Sequence, residues 1–171
     1  APTDIKLPGT EEDMVKFIKK YIHHESPLEH ASFTFSIEGV SRSLSHQLVR
    51  HRLASYSQKS QRYVNESGFK HIVPDSVRLN AQALGYYWHI MEEINKHYDA
   101  LVSLGIPKED ARYILPNAAT TDLVMTMNLR EFRHFYAERS CSRAQWEIRE
   151  LAELLMDEVK QVVPFADYDV K

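Results

Sequence analysis

With 171 residues and a mass of 19.9 kDa, the chain is long enough for one compact domain with a sizeable core and at most a small second lobe. Ordinary hydrophobic and charged fractions (43% and 26%) indicate a globular protein, and a net charge of −3 with a pI near 6.3 argues against a generic nucleic-acid binder. One cysteine excludes an internal disulfide framework or a cysteine-based zinc cluster and fits a reducing, cytoplasmic compartment. No apolar run has membrane-spanning length, no secretory leader is expected from the opening residues, and the five glycines are too scattered for a Gly-rich phosphate loop.

Residues 11–24 predict a helix, with Thr10 as N-cap, Met14, Phe17, Ile18, Tyr21 and Ile22 on one face, and Pro27 as its stop. Residues 31–37 alternate, with Phe33, Phe35 and Ile37 on one side and Ser32, Thr34 and Ser36 on the other, which predicts a strand. A second helix is expected from 40 to about 51, with Val40, Leu44 and Leu48 on one face and Gln47, Arg50 and His51 on another. The segment 52–74, rich in Ser, Gln, Asn, Gly and Pro, reads as irregular. Asp75 then caps a long helix to about 104, striped by Leu84, Tyr87, Met91, Ile94, Tyr98 and Leu101. Gly105 stops it, and Pro107 opens a short helix ending before Pro116. A strand at 119–127 and a helix at about 129–140 follow. The last helix, about 143–162, turns Ile148, Leu151, Leu155, Val159 and Val162 to the core before Pro164. The fold class is α+β: a single helix-rich domain over residues 1–171, with a small, mainly antiparallel sheet and no repeated βαβ unit.

The net charge hides an asymmetry. No acid occurs between Glu38 and Glu66, whereas Arg42, Arg50, Arg52, Lys59 and Arg62, with His46 and His51, gather positive charge there. Such a run can be a solvated face. Here, however, Arg50-His51-Arg52 leads into SYSQKSQRY, whose hydroxyls and amides suit phosphate oxygens alongside arginine forks. Tyr56 and Tyr63 offer ring faces for a base or a flavin. A second cluster lies in NLREFRHFYAERSCSR. Helical spacing puts Arg130 and His134 on one face and points Arg133 elsewhere. Arg139 near the helix end, and Arg112 before Pro116, suit either a ligand or, for Arg139, the helix dipole.

Other chemistry is poorly supported. His23, His24, Glu25 and His30 do not form a helical metal motif, because Pro27 interrupts them, and no metal is expected. Cys141 lies between serines near Arg139 and Arg143 without a sequence-fixed base, and Ser60 lacks a recognisable Ser-His-Asp partner.

The segment RHRLASYSQKSQRY (50–63) resembles the RHR-x7-S signature of the flavin-dependent thymidylate synthases, with Ser60 as the closing serine. HESPLEHASFTF (24–35), ARYILP (111–116), NLREFRHF (128–135) and AQWEIRELA (144–152) resemble further family segments in the expected order, so the likeness runs from about residue 11 to 163. The resemblance implies a homotetramer whose active sites form where subunits meet, with FAD reduced by NADPH and methylenetetrahydrofolate as carbon donor in the methylation of dUMP to dTMP. By resemblance, Ser26, Arg50, His51, Arg52, Gln58, Asn128, Arg130 and His134 contact the flavin. Gln47, Arg50, Gln58, Lys59, Ser60, Gln61, Arg62, Arg112 and Arg139 contact dUMP.

Within that resemblance, Arg62 and the Ser60 backbone region hold the dUMP phosphate, with Arg112 as another cation. Arg139 is the catalytic group, set against the uracil to stabilise negative charge as C5 becomes nucleophilic. Cys141 is not embedded in the catalytic segment of the flavin-independent thymidylate synthases, so no enzyme nucleophile is expected and Ser60 is a ligand rather than an attacker. The sequence also departs from the family. Its usual N-terminal strand and helix have no counterpart here, Gln58 stands where many relatives carry Glu, and residues 64–82 resemble the family poorly. The alternatives are a nucleotide- or flavin-binding regulatory protein on the same scaffold without turnover, and a nucleic-acid-binding domain using the 42–62 run.

Overall fold

In a computed structural model of the chain, the structure describes residues 10–22 and 24–170. The expectation for His23 therefore lies outside the described residues, as do the side chains of Met14 and Ile18. Among the described residues, contacts group into two units. The first comprises residues up to Phe35, His51–Ser55 and Thr126 onward, and the second Ser36–Arg50 and Tyr56–Met125. Strands β1 (Ser32–Ser41), β2 (Ser55–Gln58) and β3 (Thr120–Asn128) form one three-stranded antiparallel sheet in the order β1-β3-β2. The α+β reading therefore holds. Along β3, Thr121, Leu123, Met125 and Met127 are buried while Asp122 and Val124 are exposed, the period of two expected of a sheet with one covered face.

In the first unit, α1 (Glu11–Tyr21) begins as expected at Thr10, whose hydroxyl accepts from the Asp13 N–H at 3.2 Å. It ends before Pro27, which sits instead inside a four-residue helix, α2 (Glu25–Leu28). A proline is tolerated there because first-turn N–H groups have no helical acceptor. Helix α7 (Leu129–Arg139) follows β3 directly, with the Asn128 side chain accepting from the Glu131 N–H at 2.9 Å. Its buried Phe132 meets Phe33, Phe35 and the likewise buried Phe135 in an aromatic cluster, with centroid separations of 5.7–6.4 Å. Helix α8 (Trp146–Val162) packs on α7 through Ile148, Leu151, Leu155 and Val159. Val162, expected in the core, is 45% exposed as the last residue of the helix.

In the second unit the expected helix at 40–51 is shorter. Helix α3 runs Arg42–Leu48, Val40 belongs to β1, and Arg50 and His51 lie beyond the helix end. The reason is the Ser41 side chain, which accepts from the Leu44 N–H at 2.9 Å and fixes the start. The region 52–74 is not wholly irregular, since it contains β2. Nor does Asp75 cap the long helix. It opens a separate turn, α4 (Asp75–Arg78), and α5 (Ala81–Ser103) starts at Asn80, whose side chain accepts from both Gln82 and Ala83. The Gly105 stop is as expected: at φ +84° it lets the Gly105 and Ile106 N–H groups bond back to Val102 and Leu101. Helix α6 (Lys108–Ala111) and a 3-10 turn (Arg112–Ile114) occupy the place of the short helix after Pro107.

Candidate functional site

In the first unit the start of α7 gathers three of the eight expected flavin residues. Asn128, Arg130 and His134 line a cavity of about 810 Å3, with Ile22, Leu28 and Leu53 as apolar wall and Glu25, Glu29, Glu131 and Arg133 as polar wall. The shared face of Arg130 and His134 is as the helical spacing requires. Arg133, expected to point elsewhere, also borders the cavity, where its guanidinium donates to the Ala166 and Tyr168 carbonyls at 2.7 Å. Arg130 is clamped by Glu25 and Glu29, and these bonds raise its pKa, Glu29 foremost. Ser26 lies in α2 and is exposed, as is Arg52, and neither borders this cavity.

Arg139, the last residue of α7, donates from Nε to His51 Nε2 at 2.9 Å. That bond leaves the imidazole proton on Nδ1, which faces the Glu131 carboxylate at 3.7 Å. Burial first, then Arg139 and His134, push the His51 pKa down from the usual 6.5 to about 4, against the opposing charge of Glu138. His51 is therefore neutral near pH 7, and its approach to Glu131 is not an ion pair. Burial also raises the Glu131 pKa, opposed by His134. Cys141 just beyond α7 has its thiol pKa lowered, chiefly by hydrogen bonds from Arg143.

The second unit holds most of the expected dUMP residues. Gln61 and Arg112 line a pocket of about 280 Å3 with Arg42, His46 and Tyr113. Arg62 pairs with the Glu109 carboxylate at 3.0 Å, which raises its pKa, while Arg112 Nε donates to the Glu109 carbonyl at 3.0 Å, so one residue steadies both arginines. Ser60 Oγ accepts from the Arg62 N–H at 3.3 Å, and Lys59 lies 3.4 Å from the buried Glu66 carboxylate. Three other side chains are engaged locally. Gln58 donates to the Ser45 and Thr121 hydroxyls, Gln47 donates to the Ser43 carbonyl, and Tyr56 donates to the Leu48 carbonyl. Tyr63 is exposed, with the Arg62 guanidinium over its ring at 5.3 Å. Arg50 is exposed at the end of the α3 segment.

Of the acids that hold these cations, only Glu25 enters the sequence reading, and for a metal. Glu25 and Glu29, four apart, converge on Arg130, and Glu66 and Glu109 hold Lys59 and Arg62. The only sequence signal was the i, i+4 spacing of Glu25 and Glu29, repeated by Arg42 and His46 on α3. Among the described residues no cluster of His, Cys, Asp and Glu could hold a metal, and no helix is long and apolar enough to cross a membrane.

Guanidinium groups border both pockets, with amide and imidazole groups beside them, a donor set suited to one class of ligand, anionic groups. Comparison with known proteins makes that class specific. The family model described as thymidylate synthase complementing protein matches residues 3–165. The chain is 52% identical over 156 residues to a protein of Geobacter sulfurreducens named flavin-dependent thymidylate synthase, covering 89% of this chain and 67% of that one. It is 45% identical over 173 residues to the Clostridium tetani protein of the same name, covering 91% and 70%. The Pyrococcus abyssi protein so named is 50% identical over 140 residues, covering 80% and 57%. The chain thus spans roughly 57–70% of these relatives' lengths. It belongs to the thymidylate synthase complementing protein family.

Proposed function

We propose that the chain is a flavin-dependent thymidylate synthase, an enzyme that converts dUMP to dTMP with methylenetetrahydrofolate as carbon donor and NADPH as reductant. The observation that carries this reading is the bond between Arg139 and His51, residues 88 apart in sequence, because it couples the RHR motif to the arginine expected at the uracil. The α7 cavity suits FAD in volume and in donor set. About 810 Å3 lies within the usual range of roughly 300–1,000 Å3 for ligand sites, and amide, imidazole and guanidinium groups share its lining with apolar side chains. Asn128, Arg130 and His134 would hold the cofactor there; Ser26, Arg50, His51, Arg52 and Gln58 are the further flavin contacts that the resemblance implies. A diphosphate on Arg130 would take the place of the Glu25 and Glu29 carboxylates. Bound, the flavin supplies the hydride chemistry that no side chain can supply.

The chain's own residues orient and polarise. Arg139 gives its Nε–H to His51, so its terminal amino groups carry the remaining donor capacity toward the uracil. Because His51 is neutral, it accepts that bond without opposing the guanidinium charge. Lys59, Ser60, Gln61, Arg62 and Arg112, with Gln47, form the nucleotide-binding side. No thiol attack is invoked. A cytoplasmic homotetramer completes the proposal, as the resemblance implies. The test is optical: purified protein, or protein given FAD, is expected to show a bound-flavin absorbance band. Protein that stays colourless and refuses added FAD would contradict the proposal.

A further inference from the structure

Building on the thymidylate synthase reading, we propose that Glu66 is a positioning residue of the nucleotide site: its buried carboxylate fixes the Lys59 ammonium in place for dUMP. Lys59 is a dUMP contact by resemblance, whereas Glu66 lies in the 64–82 segment that resembles the family poorly, so the resemblance gives it no role. Lys59 leaves β2 with its backbone tied to β3, its N–H donating to the Asp122 carbonyl at 2.9 Å. Its ammonium lies 3.4 Å from Glu66 Oε1, with the Lys59 side chain 33% exposed and that of Glu66 only 6%. A carboxylate is rarely buried to that degree unless a cation accompanies it. Oε1 receives no hydrogen bond of ordinary geometry, which leaves the Lys59 charge as its partner.

The loop around Glu66 is built to hold the acid inward. Its neighbours Asn65 and Ser67 are exposed. The Glu66 N–H donates to the buried Tyr98 hydroxyl at 3.2 Å, and the Gly68 N–H donates to Asn95 Oδ1 at 2.7 Å. Tyr98 and Asn95 stand one turn apart on α5, so a long helix sets the loop. Gly68 makes the turn at φ +67°, a conformation that favours glycine. The carboxylate is therefore placed by the scaffold, while the lysine stem is flexible and loses rotamer freedom when its tip is held. Holding that tip beforehand lessens what dUMP must order on binding. Glu66 also faces Arg42, whose pKa burial lowers and the Glu66 charge raises. A merely screening acid and a positioning acid differ in sign. Removing a screening charge strengthens the pull on anionic dUMP, whereas releasing Lys59 weakens its binding.

The experiment is calorimetric titration of the full chain, loaded with FAD, using dUMP, joined to kcat and KM for dTMP formation. Glu66→Gln keeps the size of the side chain and removes its charge. It is expected to weaken dUMP binding about 10-fold, within the usual range for coupled neighbours. KM should rise alike with kcat unchanged, the signature of binding lost equally in ground and transition states. Glu66→Asp should recover part of the loss. In a Lys59→Ala background, Glu66→Gln is expected to cost nothing further, because the group it positions is gone. If Glu66→Gln does not fold, Glu66→Asp, whose charge falls one methylene short of Lys59, carries the same cycle with a smaller loss. Unchanged or tighter dUMP binding in the single variant would overturn the positioning role, as would a loss that persists undiminished in the Lys59→Ala background. Wild-type protein that neither binds dUMP nor forms dTMP would overturn the functional reading and this role with it; wild-type protein that does both, matched by its variants, would overturn the role alone.

Discussion

Arg139 and His51 form a pair in which each sets the other's state. The guanidinium and burial keep the imidazole neutral, and the neutral imidazole gives the guanidinium a fixed acceptor. Arg139→Ala is expected to keep bound flavin and lose roughly 10²–10³ in turnover, the usual effect of removing one preorganised electrostatic donor. Comparable kcat in the variant would assign Arg139 to the helix dipole. His51 also makes a pH prediction. Its pKa is about 4 when folded and the usual 6.5 when unfolded, so between those values the unfolded chain binds the extra proton. Stability should therefore rise with pH across this window and fall on acidification through it. Urea midpoints measured from pH 4 to 7 are expected to vary less steeply in His51→Gln, and equal slopes would contradict the assignment. Cys141→Ala should remain active despite its lowered thiol pKa; a folded but inactive variant would restore a thiol mechanism. The identities of these residues were legible in the motifs. Their partners were not, since Glu25 and Glu29 meet Arg130 from 105 and 101 residues away and Glu109 meets Arg62 from 47.

At the scale of elements, caps decide where helices begin. Asn80 satisfies two N–H groups at the start of α5, so Asn80→Ala should cost about 1 kcal/mol in chemical denaturation. Asp75→Ala, at an exposed turn with a surface partner in Arg78, should stay within about 0.5 kcal/mol. The reverse order would return the helix start to Asp75. Helix α7 and strand β3 fall where a helix and a strand were expected, and apolar periodicity made α1, α5, α8 and β1 legible in the sequence. It failed at β2 because SYSQ offers only Tyr56 as a large apolar side chain and therefore shows no alternation of apolar and polar residues. It also placed Val40 in a helix because Val40, Leu44 and Leu48 are spaced by four, a pattern that the Ser41 cap overrides.

Across the whole molecule, a net charge of −3 conceals cations set beside their own acids. Arg130 and Arg62 are held by carboxylates, while Arg42 and Arg112 share a pocket without one. Net charge alone argued only against nucleic acid, and the ordered motifs supplied the chemistry that charge counting could not. The proposed flavin-dependent methylation of dUMP is tested most directly by following dTMP formation from dUMP, methylenetetrahydrofolate and NADPH, with and without FAD. Product is expected only when FAD is present, and no dTMP from flavin-loaded, folded protein would contradict the proposed function.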